Sequence, residues 1–525
     1  MFNVECSPMS SRAKQILLLL LAAALLFSSS RVQKSLNVDR DRLGLTHAAV
    51  LENAPPMLAF TTVALGGFRG LISNLLWSRA NDLQQDDKFF EAAQLASWIT
   101  QLEPHFSQVW VFQGWNMAYN ISVKFKENGP GDYTDRWRWV QRGIELMRDE
   151  GLKYNPNDVL IFRELAWQFQ HKIGANLDDA NMFYKMRWAD EMGGFFGEEG
   201  TNYQSLISAP PGTPDWTNAI ILKEKFKLDP AFIKIVDEKY GPLDWRLPEA
   251  HAIYWGAKGK EQAELHPAKV KADDLIQLRR IIYQSTYQAF KHGRIIYNPF
   301  TQRYSLGPNL ELVGRVNEVY EQMALEDEKN RDHIERAQSN ALRDSIYFLY
   351  SNNRMSEARK WFKYLGEKFP SQPIVENDPN SLPKNLTLDE YAVAVVQIDI
   401  GETSQERVTQ AVQGLITRAY LALVTDDDAR YQNFQNLATR VHAKYTKSTA
   451  GSKGETRIPL PALDEMKKTV VTDMLNPQAG LPPEARAILR TKLGLPAETA
   501  AVPVTNAVPK ISAPVSTNTP TPVAP

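Results

Sequence analysis

The sequence predicts an all-α protein. Two observations predict it: apolar residues recur at helical spacing in segment after segment, and no long run alternates polar and apolar residues as a strand would. A third is that small, aromatic and proline residues return at fixed offsets along the chain. At 525 residues the chain exceeds what one ordinary core needs, so several domains or one elongated array is expected. Lys and Arg number 60 against 61 for Asp and Glu, so no global field favours nucleic acid or anionic lipid, and no nucleic-acid partner is expected. A single cysteine, Cys6, excludes an intrachain disulfide framework and a multi-thiolate zinc site. Stability must come from packing.

Residues 1–34 read as a signal-anchor or transmembrane segment. Arg12 and Lys14 precede ILLLLLAAALLF, and three serines follow. The uncharged run 15–30 makes about 24 Å of helix, somewhat short of a bilayer core of about 30 Å, although flanking Arg and Lys can snorkel. No A-x-A-like site stands out in LLFSSSRVQ, which favours an uncleaved anchor over a cleaved signal peptide. Such segments direct export, so an extracytoplasmic body is expected, although Arg31, Lys34, Arg40 and Arg42 beyond the run weaken the positive-inside argument. Residues 35–75 connect this segment to the body through a second apolar stretch, MLAFTTVALGGFRGLISNLLW (57–77). Arg69 in its middle argues against an isolated span, so a helix buried against the first repeat is expected, with a membrane-surface or second spanning helix as the alternative.

Residues 76–195 and 336–495 carry the recurring offsets. Ala92 precedes Pro104 by twelve residues, and Trp110 and Gly114 follow that proline by six and ten. After Pro156, the residues Phe162, Leu165, Ala166 and Phe169 stand at six, nine, ten and thirteen, and Ala180 and Tyr184 are four apart. In SEARKWFKYLGEKFP, Ala358 is followed by Phe362 at four and Pro370 at twelve, after a first helix ALRDSIYFLY and a polar turn. Small residues let two helices touch, and large ones fill the gap to the next pair.

Over about 150 residues, within 77–190 and 339–373, the chain resembles the tetratricopeptide-repeat family. It departs from that pattern at Ala96, where an aromatic is usual, and at GPGDYTDR, which lengthens the first spacing. The resemblance implies a solenoid of helical hairpins, with a non-repeat helical insertion, whose concave face is lined by first helices. On that face Gln113, Asn116, Arg163, Glu164 and Gln168 would be polar positions for meeting a partner. The competing reading is an amphipathic all-helical protein with accidental spacings.

The insertion, residues 196–335, holds a loop at SAPPGTPDW and helical periodicity in ADDLIQLRRIIYQSTYQAFKHG and LELVGRVNEVYEQMALEDE. Its densest chemical stretch is YGPLDWRLPEAHAIYWGAKG (240–259), where Asp244, Arg246, Glu249, His251 and Trp255 make a candidate ligand site. Pro248 suits a first helical turn, with Glu249 beside the helix dipole. Glu249 and His251, two apart, face differently and cannot chelate one metal together; His251 and Trp255, four apart, share a face. No HExxH, GxSxG, P-loop or GxGxxG motif is present, so no catalytic residue, metal or cofactor is implied. Trp137, Trp139 and Trp188 are expected in the core between hairpins. The tail 496–525, rich in Pro, Ala and Thr, cannot bury enough to fold.

The expected function is a membrane-anchored scaffold that binds a protein or peptide in an envelope-associated complex. The alternative is a cell-envelope enzyme with an α-superhelical body and a site around residues 240–256. A purely structural subunit of a membrane complex is a third reading.

Overall fold

The computed structural model describes residues 11–42, 68–197, 202–267, 270–298, 303–352, 354–375, 378–400, 405–450, 460–478 and 480–497. The expectations for residues 57–67 and for most of the tail, from residue 498 on, fall outside them. What is described is mostly helical, and the chain divides into two compact units, 1–113 and 114–525.

In the first unit α1 (Ser11–Arg42) holds the apolar run, and Leu20, Leu21, Leu25 and Phe27 are all more than half exposed. Among the described residues, no helix is long and apolar enough to cross a membrane. Helices α2 (Phe68–Gln85) and α3 (Phe89–Leu102) form a tight hairpin closed by residues 86–88. Ala92 and Ala96 are fully buried, and Leu76 and Trp77 pack on the cluster around Ala96 and Ile99. The indole N–H of Trp110 donates to the Pro104 carbonyl at 2.8 Å, which ties this tryptophan to the proline six residues earlier.

Helix α4 (Ser107–Trp115) carries the chain into the second unit and runs on as a π turn, Asn116–Ile121. Helix α5 (Thr134–Glu145) continues through a π turn, Leu146–Gly151, and α6 (Val159–Trp167) through a third, Gln168–Ile173. Three π turns in succession are unusual, because the i→i+5 bond is rare and occurs mostly where a helix must re-aim side chains. Close approach explains the small residues. A Cβ on Gly143 would stand 2.6 Å from the Gly114 carbonyl oxygen, so the backbones of α4 and α5 touch there. Trp137 and Trp188, on α5 and α7 (Asn181–Met192), are buried and meet edge to face at 6.5 Å, while Trp139 is partly exposed against Phe125.

The insertion contributes α8 (Tyr203–Ile207), α9 (Pro214–Glu224), α10 (Pro230–Tyr240), α11 (Pro248–Leu265) and α12 (Ala272–His292). Pro214 opens α9 behind a Thr213 cap, so the expected loop ends earlier than Trp216. Helix α11 starts at Pro248 as expected and packs between α6 and α12. A short antiparallel hairpin, β1 (Arg294–Asn298) and β2 (Arg303–Gly307), pairs Arg294 with Gly307 and Ile296 with Ser305. Five-residue strands are too short for periodicity to reveal. Helices α13 (Val313–Glu326), α14 (Arg331–Ser351) and α15 (Met355–Lys368) follow, with Ala358 fully buried in the hairpin of the last two. Helices α16 (Leu388–Ile400), α17 (Gln405–Val424), α18 (Asp428–Ala450), α19 (Leu463–Met474) and α20 (Pro483–Lys492) complete the unit. Ile416, Leu437 and Met466 lie at the centre of the core that α17, α18 and α19 share.

Candidate functional site

The π turns after α4 and α6 bring together four rings. Trp115 stacks on Tyr119 with centroids 5.3 Å apart, and Trp167 stacks on His171 at 4.5 Å. Tyr119 and His171 close the gap between the two pairs at 5.8 Å, and the Tyr119 hydroxyl and His171 Nδ1 share a hydrogen bond of 3.1 Å. All four side chains are partly exposed. The result is a row, Trp115–Tyr119–His171–Trp167, drawn from two separate helices. The outer pairs are stacked face on face, whereas Tyr119 and His171 meet at a tilt of 39° through their polar edges.

The row borders a cleft of about 480 Å³ lined by Tyr119, Val123, Arg136, His171, Lys172, Leu177, Asp178 and Asp179. Val123 and Leu177 stand exposed at its rim. Asp178 organises the charged wall: it accepts from Lys172 Nζ at 2.5 Å, from Arg136 Nη1 at 3.2 Å, from the Tyr184 hydroxyl at 3.3 Å and from the Ala180 N–H at 2.9 Å. Asp179 also binds Arg136. Burial opposes the Asp178 charge, yet the bonds from Lys172 and the Ala180 N–H hold its carboxyl below the usual range. Burial lowers Lys172 and, helped by the Lys172 charge, His171, which keeps the imidazole neutral. Burial and the nearby Glu164 push the Tyr119 phenol up. The wall therefore carries two cations and two anions already paired with one another.

The five residues expected on the partner face lie on these helices, but four of them are buried. In the first unit Gln113 turns inward and donates to the Ala93 carbonyl at 3.4 Å. Asn116 is fully buried and accepts from Asn120 at 2.9 Å. Gln168 is fully buried and neither end of its amide finds a hydrogen bond; Glu164 leaves one oxygen unpartnered, and burial raises its carboxyl to about 7. Arg163 is partly exposed and pairs with Asp274. The surface of α6 and its π turn belongs instead to Arg163, Trp167 and His171, four residues apart in sequence. Sequence reasoning missed the row because it reserved the aromatics for the core.

Residues 240–256 form a closed core. Asp244 and Arg246 satisfy each other in a two-pronged pair at 2.9 Å, and both are nearly buried. Glu249 is 2% exposed with one oxygen unpartnered, and burial raises it to about 7. His251 is fully buried, donates from Nε2 to the Trp245 carbonyl at 2.9 Å, and is pushed down to about 4 by burial. The indoles beside it are Trp188 at 4.9 Å and Trp245 at 5.9 Å, while Trp255 stacks on Phe162 at 6.1 Å. The expected pairing of His251 with Trp255 thus gives way to one with tryptophans from α7 and from the loop before α11. Among the described residues, no group of three His, Cys, Asp or Glu side chains is placed to hold a metal ion.

Comparison with family models, curated proteins and solved structures found no match to this chain.

Proposed function

We propose that this protein is a membrane-tethered scaffold of tetratricopeptide-like helical hairpins that holds a protein or peptide partner against the row Trp115–Tyr119–His171–Trp167 and its adjoining cleft. One observation carries the reading: partly exposed aromatics on two helices stand in line beside a cleft with charged walls. Trp, Tyr and Arg are the side chains on which protein interfaces concentrate their binding energy. The exposed Leu177 and Val123 at the rim add apolar contact, and the paired charges of Arg136, Lys172, Asp178 and Asp179 set orientation.

The tether is supported by α1. Leu20, Leu21, Leu25 and Phe27 are each more than half exposed over a wide arc of the helix, as suits lipid, and Arg31 lies over the Phe27 ring at 5.3 Å. In the sequence Arg12 and Lys14 precede the run and Arg31 and Lys34 follow it, a pattern suited to headgroup anchoring, and the body is proposed to be extracytoplasmic. The alternative enzyme at residues 240–256 is not favoured, because its acid and its histidine are sealed from solvent.

Affinity capture from detergent-solubilised membranes tests the scaffold, comparing wild type with Trp115→Ala/Trp167→Ala and with a control at exposed Lys223. Loss of two interface aromatics costs about 3 kcal/mol, so a discrete partner should fall by about a hundredfold in the ladder variant and be unchanged in the control. Equal capture by all three proteins, with the ladder variant folded, would overturn the assignment.

A further inference from the structure

The polar atoms that the aromatic row shows to solvent are hydrogen-bond donors. An indole donates and never accepts, so Trp115 and Trp167 each bring one N–H. The oxygen among the four side chains, Tyr119 Oη, is engaged twice: it shares the 3.1 Å bond with His171 Nδ1, and the Trp167 indole is a further hydrogen-bond partner. Burial and the Glu164 charge keep the phenol protonated, so its O–H donates to Nδ1. Burial and the Lys172 charge keep the imidazole neutral, which leaves its one proton on Nε2. Trp115 Nε1 and His171 Nε2 have no hydrogen-bond partner among the described residues, and both side chains are partly exposed. The row therefore offers a visitor two N–H groups and no free acceptor.

That inventory suits one kind of peptide backbone. An ordinary segment brings an N–H with every carbonyl, and each N–H pressed against the row would go without an acceptor. Proline has no N–H, and a polyproline II helix makes no internal hydrogen bonds, so its carbonyls stay free to accept. The spacing agrees. Steps of 5.3 and 5.8 Å lead from Trp115 through Tyr119 to His171, and a polyproline II turn of three residues rises about 9 Å. A further 4.5 Å reaches Trp167, which ends the row with an apolar ring on which a proline can lie. A carboxylate would also accept from these donors. The cations lining the adjoining cleft, Arg136 and Lys172, are however nearly buried and already paired with Asp178 and Asp179.

We propose that the row docks a proline-rich segment of the partner as a polyproline II helix, with one carbonyl on Trp115 Nε1 and another, a turn away, on His171 Nε2. This rests on the scaffold reading and names the chemistry of its partner. Tyr119 is then a positioning residue, since its O–H decides which imidazole nitrogen carries the proton.

The test titrates the full chain in detergent with fluorescein-labelled decaproline, read by anisotropy, against a Gly-Ser decamer and a Glu-rich decamer. Saturable binding of decaproline is expected, about tenfold or more tighter than either control. Trp115→Phe keeps a ring and removes the N–H, so it should weaken binding about fivefold, as loss of one hydrogen bond does. Trp115→Ala/Trp167→Ala should abolish binding. In spectra of isotope-labelled histidine, the His171 signal, assigned by its loss in His171→Gln, should place the proton on Nε2, and Tyr119→Phe should weaken that preference. A proton on Nδ1 in wild type overturns the donor inventory. Equal or tighter binding of the Glu-rich decamer, or decaproline binding that both row variants leave unchanged, overturns the assignment. If decaproline fails to bind while partner capture still falls in Trp115→Ala/Trp167→Ala, the proline reading is overturned and the scaffold stands; if neither is seen, both are overturned. Decaproline binding that appears only after Pro514, Pro520 and Pro522 are replaced by Ala assigns the row to the chain's own tail and overturns its assignment to a partner.

Discussion

Replacing Asp178 by Ala tests whether one carboxylate holds the cleft together. The substitution removes four hydrogen-bond contacts, to Lys172, Arg136, Tyr184 and the Ala180 N–H. It leaves the Lys172 side chain, only 4% exposed, without its ion-pair partner, and leaves Arg136 with Asp179, which is itself 65% exposed. Removing one partner of a buried pair costs about 3–5 kcal/mol, mainly because the remaining charge is stranded. The low end applies, since Asp178 retains some solvent access, so about 3 kcal/mol is expected. With a urea slope of about 3 kcal/mol/M this moves the unfolding midpoint down by about 1 M, read by tryptophan fluorescence. Asp179→Ala should cost less than about 1 kcal/mol, as solvent-exposed pairs do. Lys172→Met/Asp178→Leu should recover most of the loss, because no charge is then stranded. The acid limb checks the sign: a carboxyl held low in the fold contributes stability that is present above its ordinary range and lost as pH falls below it, and Asp178→Ala should lack that loss. A midpoint within about 0.2 M of wild type, or no worse than that of Asp179→Ala, would refute the reasoning.

Glu249 and His251 titrate in opposite senses within one turn of α11. Glu249, raised from 4.5 to about 7, contributes stability that is present below pH 4.5 and lost as pH rises through about 7; His251, lowered from 6.5 to about 4, contributes stability that is present above pH 6.5 and lost as pH falls through about 4. Relative to wild type, Glu249→Gln should therefore gain stability with rising pH, by about 3 kcal/mol across its window, and His251→Phe should lose it, as urea titrations at several pH values would show; parallel curves would count against both. Gly143→Ala should destabilise by about 1–3 kcal/mol, because its Cβ meets the rigid Gly114 carbonyl at 2.6 Å, whereas Gly114→Ala meets only the flexible end of Met147 and should cost less. Thermal melts of the two variants decide it, and the reverse order would sink the account.

How much of this was legible in the sequence depends on what each residue's position is fixed by. The all-helical class, the start of α11 at Pro248 and the burial of Ala92, Ala166 and Ala358 follow from spacing, since a small residue at a crossing serves only if it is inside. The strands at 294–307 did not follow, being shorter than the window over which alternation counts. The site did not follow either. Polar character was taken as a sign of exposure, yet Gln113, Asn116, Glu164 and Gln168 are all buried, and burial of a polar residue is the informative exception that composition alone cannot flag. The π turns compound this. They widen the helix over Asn116–Ile121 and Gln168–Ile173, so angles counted at 100° per residue drift just where Tyr119 and His171 emerge.

Those π turns also connect the fold to the site. A buried amide without partners at Gln168 and a carboxyl raised to about 7 at Glu164 both cost stability, and the two lie one turn apart on the helix that presents Trp167 and His171. A packed apolar residue at position 168 would remove that cost, so Gln168→Leu is expected to stabilise the second unit if the amide is simply stranded. Because Gln168 is fully buried, a partner at the aromatic row does not reach its amide, so the same substitution should raise the melting temperature and leave capture unchanged. Measuring both on one variant separates a stranded amide from one the site depends on, because only in the second case does the gain in stability come with a loss of binding.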